Sequence, residues 1–305
     1  MTRSGSSRSW LPIAAVGVTL VLWASAFVAI RHLGPVISPG ALSLGRLLVG
    51  SLVLGLLLAT RTRRWPTRRD WLPLITIGVL WFGIYNVSLN AAEQRIDAGT
   101  ASMLIQTSPI LIAVLAVVVL HERVSPYLAP GLLLAFVGVV VISLAGSDDG
   151  GGQDVLGVVL TLVAAVVYSV SVILQKPLLG RLPALEVTWI ACTVGAVACL
   201  PFAGSLVHDV QEAPASSLWW IVYLGVFPTA IAFTTWAYAL THMSAANMGA
   251  TTYLVPPITI ALGWLLLDEV PPVLAVLGGV LCLVGVAVAR RRPRLRDVEV
   301  TVSEG

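Results

Sequence analysis

Arg46 is the one charged side chain placed well inside a long apolar run, about two turns from its nearer end. A charge at membrane depth is costly and by default marks function. The alternative is that its guanidinium snorkels outward or pins helix ends through backbone carbonyls. Further along, Asn86, Asn90, Glu93 and Asp97 recur at spacings of 4, 3 and 4, which stacks four polar groups on one helical face. Such a face avoids lipid, so Asn86 and Asn90 either line a cavity opening outward or hydrogen-bond neighbouring helices. Glu93 and Asp97 are expected to be solvated at the outer rim. Thr234, Tyr238 and Thr241 form a thinner counterpart later in the chain.

Backbone chemistry is expected at the prolines. Pro109 cannot donate to the carbonyl of Ile105, and Pro256 and Pro257 leave Thr252 and Tyr253 in the same position. Kinks at these places free carbonyls that can hold a solute or ion where they border a cavity, with Gln106, Ser102, Thr252 and Tyr253 nearby; purely mechanical kinks are the other reading. Trp23, Tyr85, Tyr168, Trp189, Trp236 and Tyr238 could stack on an aromatic or cationic solute, whereas Trp10, Trp65, Trp71, Trp219 and Trp220 sit at run ends as interface anchors. Glu122 and Glu269 end two apolar runs in matching positions and either cap the next helix or act as gate carboxylates.

The elements that must hold these groups are membrane helices. The 305 residues are 57% hydrophobic and 11% charged, with a mean hydropathy of +0.93, far from globular averages. A hydrocarbon core about 30 Å thick needs about 20 apolar residues per helix. Ten runs qualify: Trp10 to Leu33, Ala41 to Ala59, Trp71 to Ala92, Ala98 to Leu120, Tyr127 to Leu144, Val155 to Leu174, Leu185 to Leu206, Leu218 to Leu240, Ala246 to Leu267 and Val273 to Ala289. Continuous runs of this length exclude a β-barrel, whose strands alternate over about 10 residues. The chain is therefore all-α and polytopic.

Charge placement orients it. Arg3, Arg8, Arg61, Arg63, Arg64, Arg68, Arg69, Arg123, Lys176, Arg181, Arg290, Arg291, Arg292, Arg294 and Arg296 fall on one side, fifteen of the 18 basic residues. The opposite loops carry Arg31 and Arg95 among Asp148, Asp149, Asp154, Asp209 and Glu212. The positive-inside rule then places both termini in the cytoplasm of a multi-pass inner-membrane protein. The Arg290 to Arg296 cluster reads as an anchor on anionic lipid rather than a nucleic-acid patch. A signal-peptidase site at Ala24, Ser25 and Ala26 is set aside because the first run has a later counterpart. Cys192, Cys199 and Cys282 lie in apolar runs as small hydrophobes, so neither a disulfide nor a metal framework is expected, and no cofactor.

Sliding the chain by 147 residues gives an ungapped self-match. Gly78 falls on Gly225, Ala92 on Ala239, Ala98 on Ala245, Pro109 on Pro256, Leu115 on Leu262, Leu120 on Leu267, Glu122 on Glu269, Gly131 on Gly278 and Gly138 on Gly285. A shift of 145 sets Trp23 on Tyr168 and Arg31 on Lys176. The expected division is a first repeat at 1–146, an outer linker at 147–154, a second repeat at 155–292 and a cytoplasmic tail at 293–305. Because five spans is an odd number, the halves must be inverted, an architecture of secondary transporters with the solute site near the midplane. The paired glycines, seven apart, permit close helix packing.

These residues resemble a known family. Leu22-Trp23-Ala24-Ser25-Ala26-Phe27 ending in Arg31, Arg46, the Pro109 to Leu120-His121-Glu122-Arg123 segment, Gly131 to Gly138, Tyr223-Leu224-Gly225-Val226-Phe227, and Pro256 to Leu267-Asp268-Glu269 are similar in order and duplication to EamA-type transporters of the drug/metabolite transporter superfamily. The resemblance implies efflux or exchange of amino acids, other metabolites or drugs. An enzyme would need convergent groups at membrane depth, yet His32, His121, His208 and His242 are scattered at span ends; a channel would need a polar pore lining. The expected partners are a small solute and lipid, with the chain a monomer or homodimer. Without a titratable carboxylate deeper than Glu93, facilitated export or exchange is expected over proton coupling.

Overall fold

The structure is a computed structural model that describes residues 10–61, 64–95, 104–146, 154–267 and 273–291. Among the described residues no strand occurs, and the helices group by their short breaks into ten rods. These are α1 (Leu11–Leu33), α2 (Pro39–Ala59), α3 (Arg68–Glu93), α4 (Ser108–Leu120), α5 (Leu128–Gly146), α6 (Val155–Leu179), α7 (Ala184–Ala198 and Leu200–Glu212), α8 (Ala215–His242), α9 (Ala245–Thr251, Thr252–Leu254 and Val255–Leu267) and α10 (Val273–Ala289). Four of them, α2, α3, α6 and α8, are long and apolar enough to cross a bilayer singly, and α7 reaches that length as a pair bent by 52°. Shorter apolar stretches lie in α1, α4, α5 and α10.

Local chemistry sets the ends. Thr67 and Asp70 form a capping box at the start of α3. Asp154 accepts from the N–H groups of Leu156 and Gly157 at the start of α6, and Ser244 caps α9. Lys176, expected just after its span, lies inside α6, which runs through Pro177 to Leu179.

Each half repeats the other's contacts. A Cβ added to Gly138 would stand 2.6 Å from the Gly278 carbonyl oxygen, and one added to Gly285 would stand 2.7 Å from that of Gly131. The 147-residue offset exchanges these two contacts. Likewise a Cβ on Gly78 would meet the Ala191 oxygen at 2.8 Å and one on Gly225 the Arg46 oxygen at 2.8 Å, so the 145-residue offset extends to α2 and α7. Cys282 Sγ donates to the Ala135 oxygen (3.4 Å) and Cys192 Sγ to that of Leu47 (3.5 Å), pairs that map onto themselves. In the α5–α10 crossing Gly131 lies by Ala289 and Ile142 by Gly278. These mates run antiparallel, as an inverted pair must.

Two departures from regular helix recur at matched positions. Both α3 and α8 contain a π-helical segment, at Gly78–Tyr85 and at Gly225–Ile231. Just before α4 and within α9 the helix breaks and restarts, with Pro109 in the first turn of Ser108–Leu120 and Pro256 and Pro257 in that of Val255–Leu267. The expected kinks are thus breaks: a proline's missing N–H and fixed φ suit the first turn of a new helix better than an interior turn.

Candidate functional site

Between the halves lies an open cavity whose empty space, with the solvent at its mouth counted in, is about 730 Å³. It lies toward the C-terminal ends of α1 and α3 and the N-terminal end of α2. The C-terminal part of α1 brings Trp23, Phe27 and Ile30, α2 brings Arg46, α3 brings Trp81, Tyr85, Asn86, Leu89 and Asn90, and the α4 break brings Ile105 and Gln106. The second half adds Tyr168, Phe233, Thr252 and Val255.

Local geometry explains the polar groups. In the wide π turn of α3, Asn86 Nδ2 donates to the carbonyls of Phe82 (2.9 Å) and Trp81 (3.2 Å). Asn90 Nδ2 donates to Ser43 Oγ on α2 (3.0 Å). Gln106 Nε2 donates to the Thr252 oxygen at 3.0 Å, so the side chain at one break satisfies the backbone of the other. The Ile105 carbonyl accepts from Ser108 Oγ at 2.6 Å. Arg46, buried to 5% exposure, donates from Nε to Thr229 Oγ1 at 3.1 Å, and Thr229 in turn donates to the Leu224 carbonyl across the π turn of α8 (2.8 Å). Among the described residues Arg46 forms no ion pair, although Glu93 is near enough to act on it electrostatically.

Aromatic rings make the floor. Trp23 lies 5.0 Å from Trp236 and 5.4 Å from Phe233, and Trp81 lies 5.0 Å from Phe233 and 5.1 Å from Tyr168. Below them the opposite end is tied shut. Lys176 Nζ donates to the carbonyls of Leu240 and Met243 at the end of α8. Glu122 accepts from the N–H of Ala245 (2.9 Å) and of Ala246 (3.3 Å) at the start of α9. These are charges set against the helix ends they complement.

Eight expected residues therefore meet at the cavity: Trp23, Arg46, Tyr85, Asn86, Asn90, Gln106, Tyr168 and Thr252. Five do not line it, and of these Trp189 lies against Gly55 of α2 instead. Trp236 is fully buried behind Trp23, and Tyr253 is fully buried, its hydroxyl without a partner. Thr234 turns back to the Ala230 carbonyl (2.7 Å). Tyr238 packs on His242, 4.6 Å away, near the end of α8. The π segment before them re-phases α8, which a uniform 3.6-residue period does not anticipate. Glu122 caps α9 in the other half rather than the next helix, and Glu269 lies outside the described residues, as do Asp97 and Ser102.

Glu93 corrects the rim expectation: its Oε1 is buried and lacks a hydrogen-bond partner. Trp81, Phe27, Phe233 and Thr229 were missed. Trp81 precedes Asn86 by five residues, the spacing of a π turn, and Phe233 is the repeat mate of Asn86. Among the described residues no cluster of His, Cys, Asp and Glu could hold a metal ion.

The profile of the EamA-like transporter family matches residues 10–144 and again 155–291. The chain is 39% identical over 279 residues to the "Probable terminal-alkyne amino-acid exporter" of Streptantibioticus cattleyicolor, covering 91% of this chain and 93% of that one. It is 30% identical to the uncharacterized transporter YdfC of Bacillus subtilis, covering 87% and 86%. A solved crystal structure with 22% identity superposes with a TM-score of 0.75 over 93% of this chain and 97% of the other, a likeness of fold.

Proposed function

Because the chain belongs to the EamA-like transporter family, we propose that it exports a small amphipathic metabolite, with amino acids the leading class, by alternating access across the cell inner membrane. The observation that carries this reading is a cavity set between two matched helix breaks, lined from both halves and tied shut at one end by Glu122 and Lys176. Inverted repeats place a solute site at that level and exchange its exposure by moving one half against the other. The amino-acid class comes from the Streptantibioticus relative, whose name is that of an amino-acid exporter.

The proposal includes ten spans, inverted repeats at 1–146 and 155–292 joined by an outer linker at 147–154, a tail at 293–305, and both termini in the cytoplasm. With that orientation the cavity faces outward. Pro109 and Pro256–Pro257 act as hinges at the breaks, and Glu122 as a latch on the cytoplasmic side. Exposed Leu52, Leu56, Leu72, Val118 and Leu133 support contact with lipid; the solute is the other partner, nucleic acid is not one, no catalytic role is assigned, and the unit is a monomer or homodimer. The test is flux: purified protein in liposomes loaded with a labelled amino-acid panel should release at least one of them faster than protein-free liposomes. No flux for any amino acid in either direction sinks the reading.

A further inference from the structure

The repeat supplies an internal control for what the fold itself requires. Positions that build the scaffold, such as the paired glycines, recur in both halves. The polar groups of the cavity do not. Arg46 has Ala191 as its mate, Asn86 has Phe233, Asn90 has Ala237 and Gln106 has Tyr253, and all four mates are buried. The second half is thus built without an arginine or a side-chain amide at any of these places.

Among these groups Arg46 carries the most unused donors, whereas Gln106 Nε2 has one N–H left over. The amides of Asn86, Asn90 and Gln106 are committed to Phe82, Ser43 and Thr252. The Arg46 guanidinium spends only Nε, on the neutral Thr229 hydroxyl. Among the described residues its terminal nitrogens have no protein hydrogen bond and no carboxylate within 4.0 Å. A guanidinium is shaped for bidentate pairing with a carboxylate; Glu93 is near enough to act on Arg46 electrostatically but forms no ion pair with it, so that pairing is left open. Apart from Thr252, the rest of the wall is aromatic and aliphatic. Tyr168, 6% exposed, adds a hydroxyl that also lacks a partner.

We propose that Arg46 receives the carboxylate of the solute, and that the solute is an amphipathic carboxylic acid whose apolar part lies against Trp23, Trp81 and Tyr85. Asn90 anchors α3 to α2 beside it, and Thr229 fixes the guanidinium from the second half, so carboxylate binding bears on both repeats at once. This rests on the export reading above and names the chemistry its site selects.

The test separates the two. Trp23 and Trp81 in the wall make binding visible as a change in tryptophan fluorescence of the purified full chain in lipid nanodiscs. Phenylalanine and 3-phenylpropionate, which carry the carboxylate, should bind about 10- to 100-fold more tightly than phenylalaninamide and phenethylamine, which lack it. Arg46→Gln should level the four affinities, and Arg46→Lys should restore part of the preference. The wild-type comparison stands even if the Gln variant does not fold. Amide bound as tightly as acid, or no response to either acid, overturns the proposal. Acid binding without flux in liposomes sinks the export reading alone, and flux that treats acid and amide alike sinks this inference alone.

Discussion

Replacing Gly138 with alanine tests the α5–α10 crossing. The new Cβ would lie 2.6 Å from the Gly278 oxygen, 2.7 Å from the Cys282 nitrogen and 2.8 Å from Cys282 Sγ. Two of these neighbours are backbone and cannot rotate away. Moving from 2.6 Å to the 3.4 Å of ordinary contact requires the helices to part by about 0.8 Å. Overpacking of this kind costs about 1–3 kcal/mol, and close Cα–H···O contacts worth about 0.5–1 kcal/mol are lost with the separation. Against that, alanine gains up to about 1 kcal/mol over glycine in helix propensity. The net expectation is a loss of about 1–3 kcal/mol, or about 5- to 150-fold in the folding equilibrium. Gly285→Ala, the repeat mate, should lose a similar amount. Gly17→Ala is the control, because a Cβ there has nothing within 4 Å. Titrating purified protein from mild detergent into SDS while following helicity by circular dichroism measures all three. Gly138→Ala and Gly285→Ala unfolding at the wild-type SDS fraction, or Gly17→Ala falling as far as they do, refutes the reasoning.

Glu122→Ala removes the acceptor for two N–H groups of α9 and should cost about 1–2 kcal/mol in the same titration, with Glu122→Gln losing less. The hydrogen bond from Arg95, and then those from the Gly157 and Leu156 N–H groups, hold the Asp154 carboxyl below the usual carboxylate range. A depressed carboxylate stabilises the fold above its ordinary value and loses that contribution as pH falls through the native one. Arg95→Gln should therefore be less stable than wild type at neutral pH, with the difference closing in acid; a difference that grows in acid contradicts this. Cys192, Cys199 and Cys282 are all buried, so a thiol reagent should label none in the native protein and three after SDS.

Most of the scaffold could be read from residue order. Apolar run length gave helices because a bilayer admits little else, and Val273 to Ala289 matches α10 end to end. The paired glycines were legible as packing residues because only close backbone approach explains glycine on one face in both halves. The site was legible where a polar residue stood out in an apolar run, as at Arg46, Asn86 and Asn90. It was not legible where hydrophobic residues do the lining: Trp81 and Phe233 look like any core aromatic until the π segments set their phase. Glu93 misled because its distance from the span end suggested water, whereas its burial comes from the packing of α2 and α6 on α3.

The π segments in α3 and α8 also bear on the repeat. A wide turn accommodates an extra residue, and an insertion in only one half would break the alignment between the halves at that point. The 147-residue register instead runs ungapped from Gly78 and Gly225 through both segments. The wide turn therefore belongs to the repeat itself and is not an insertion in one half.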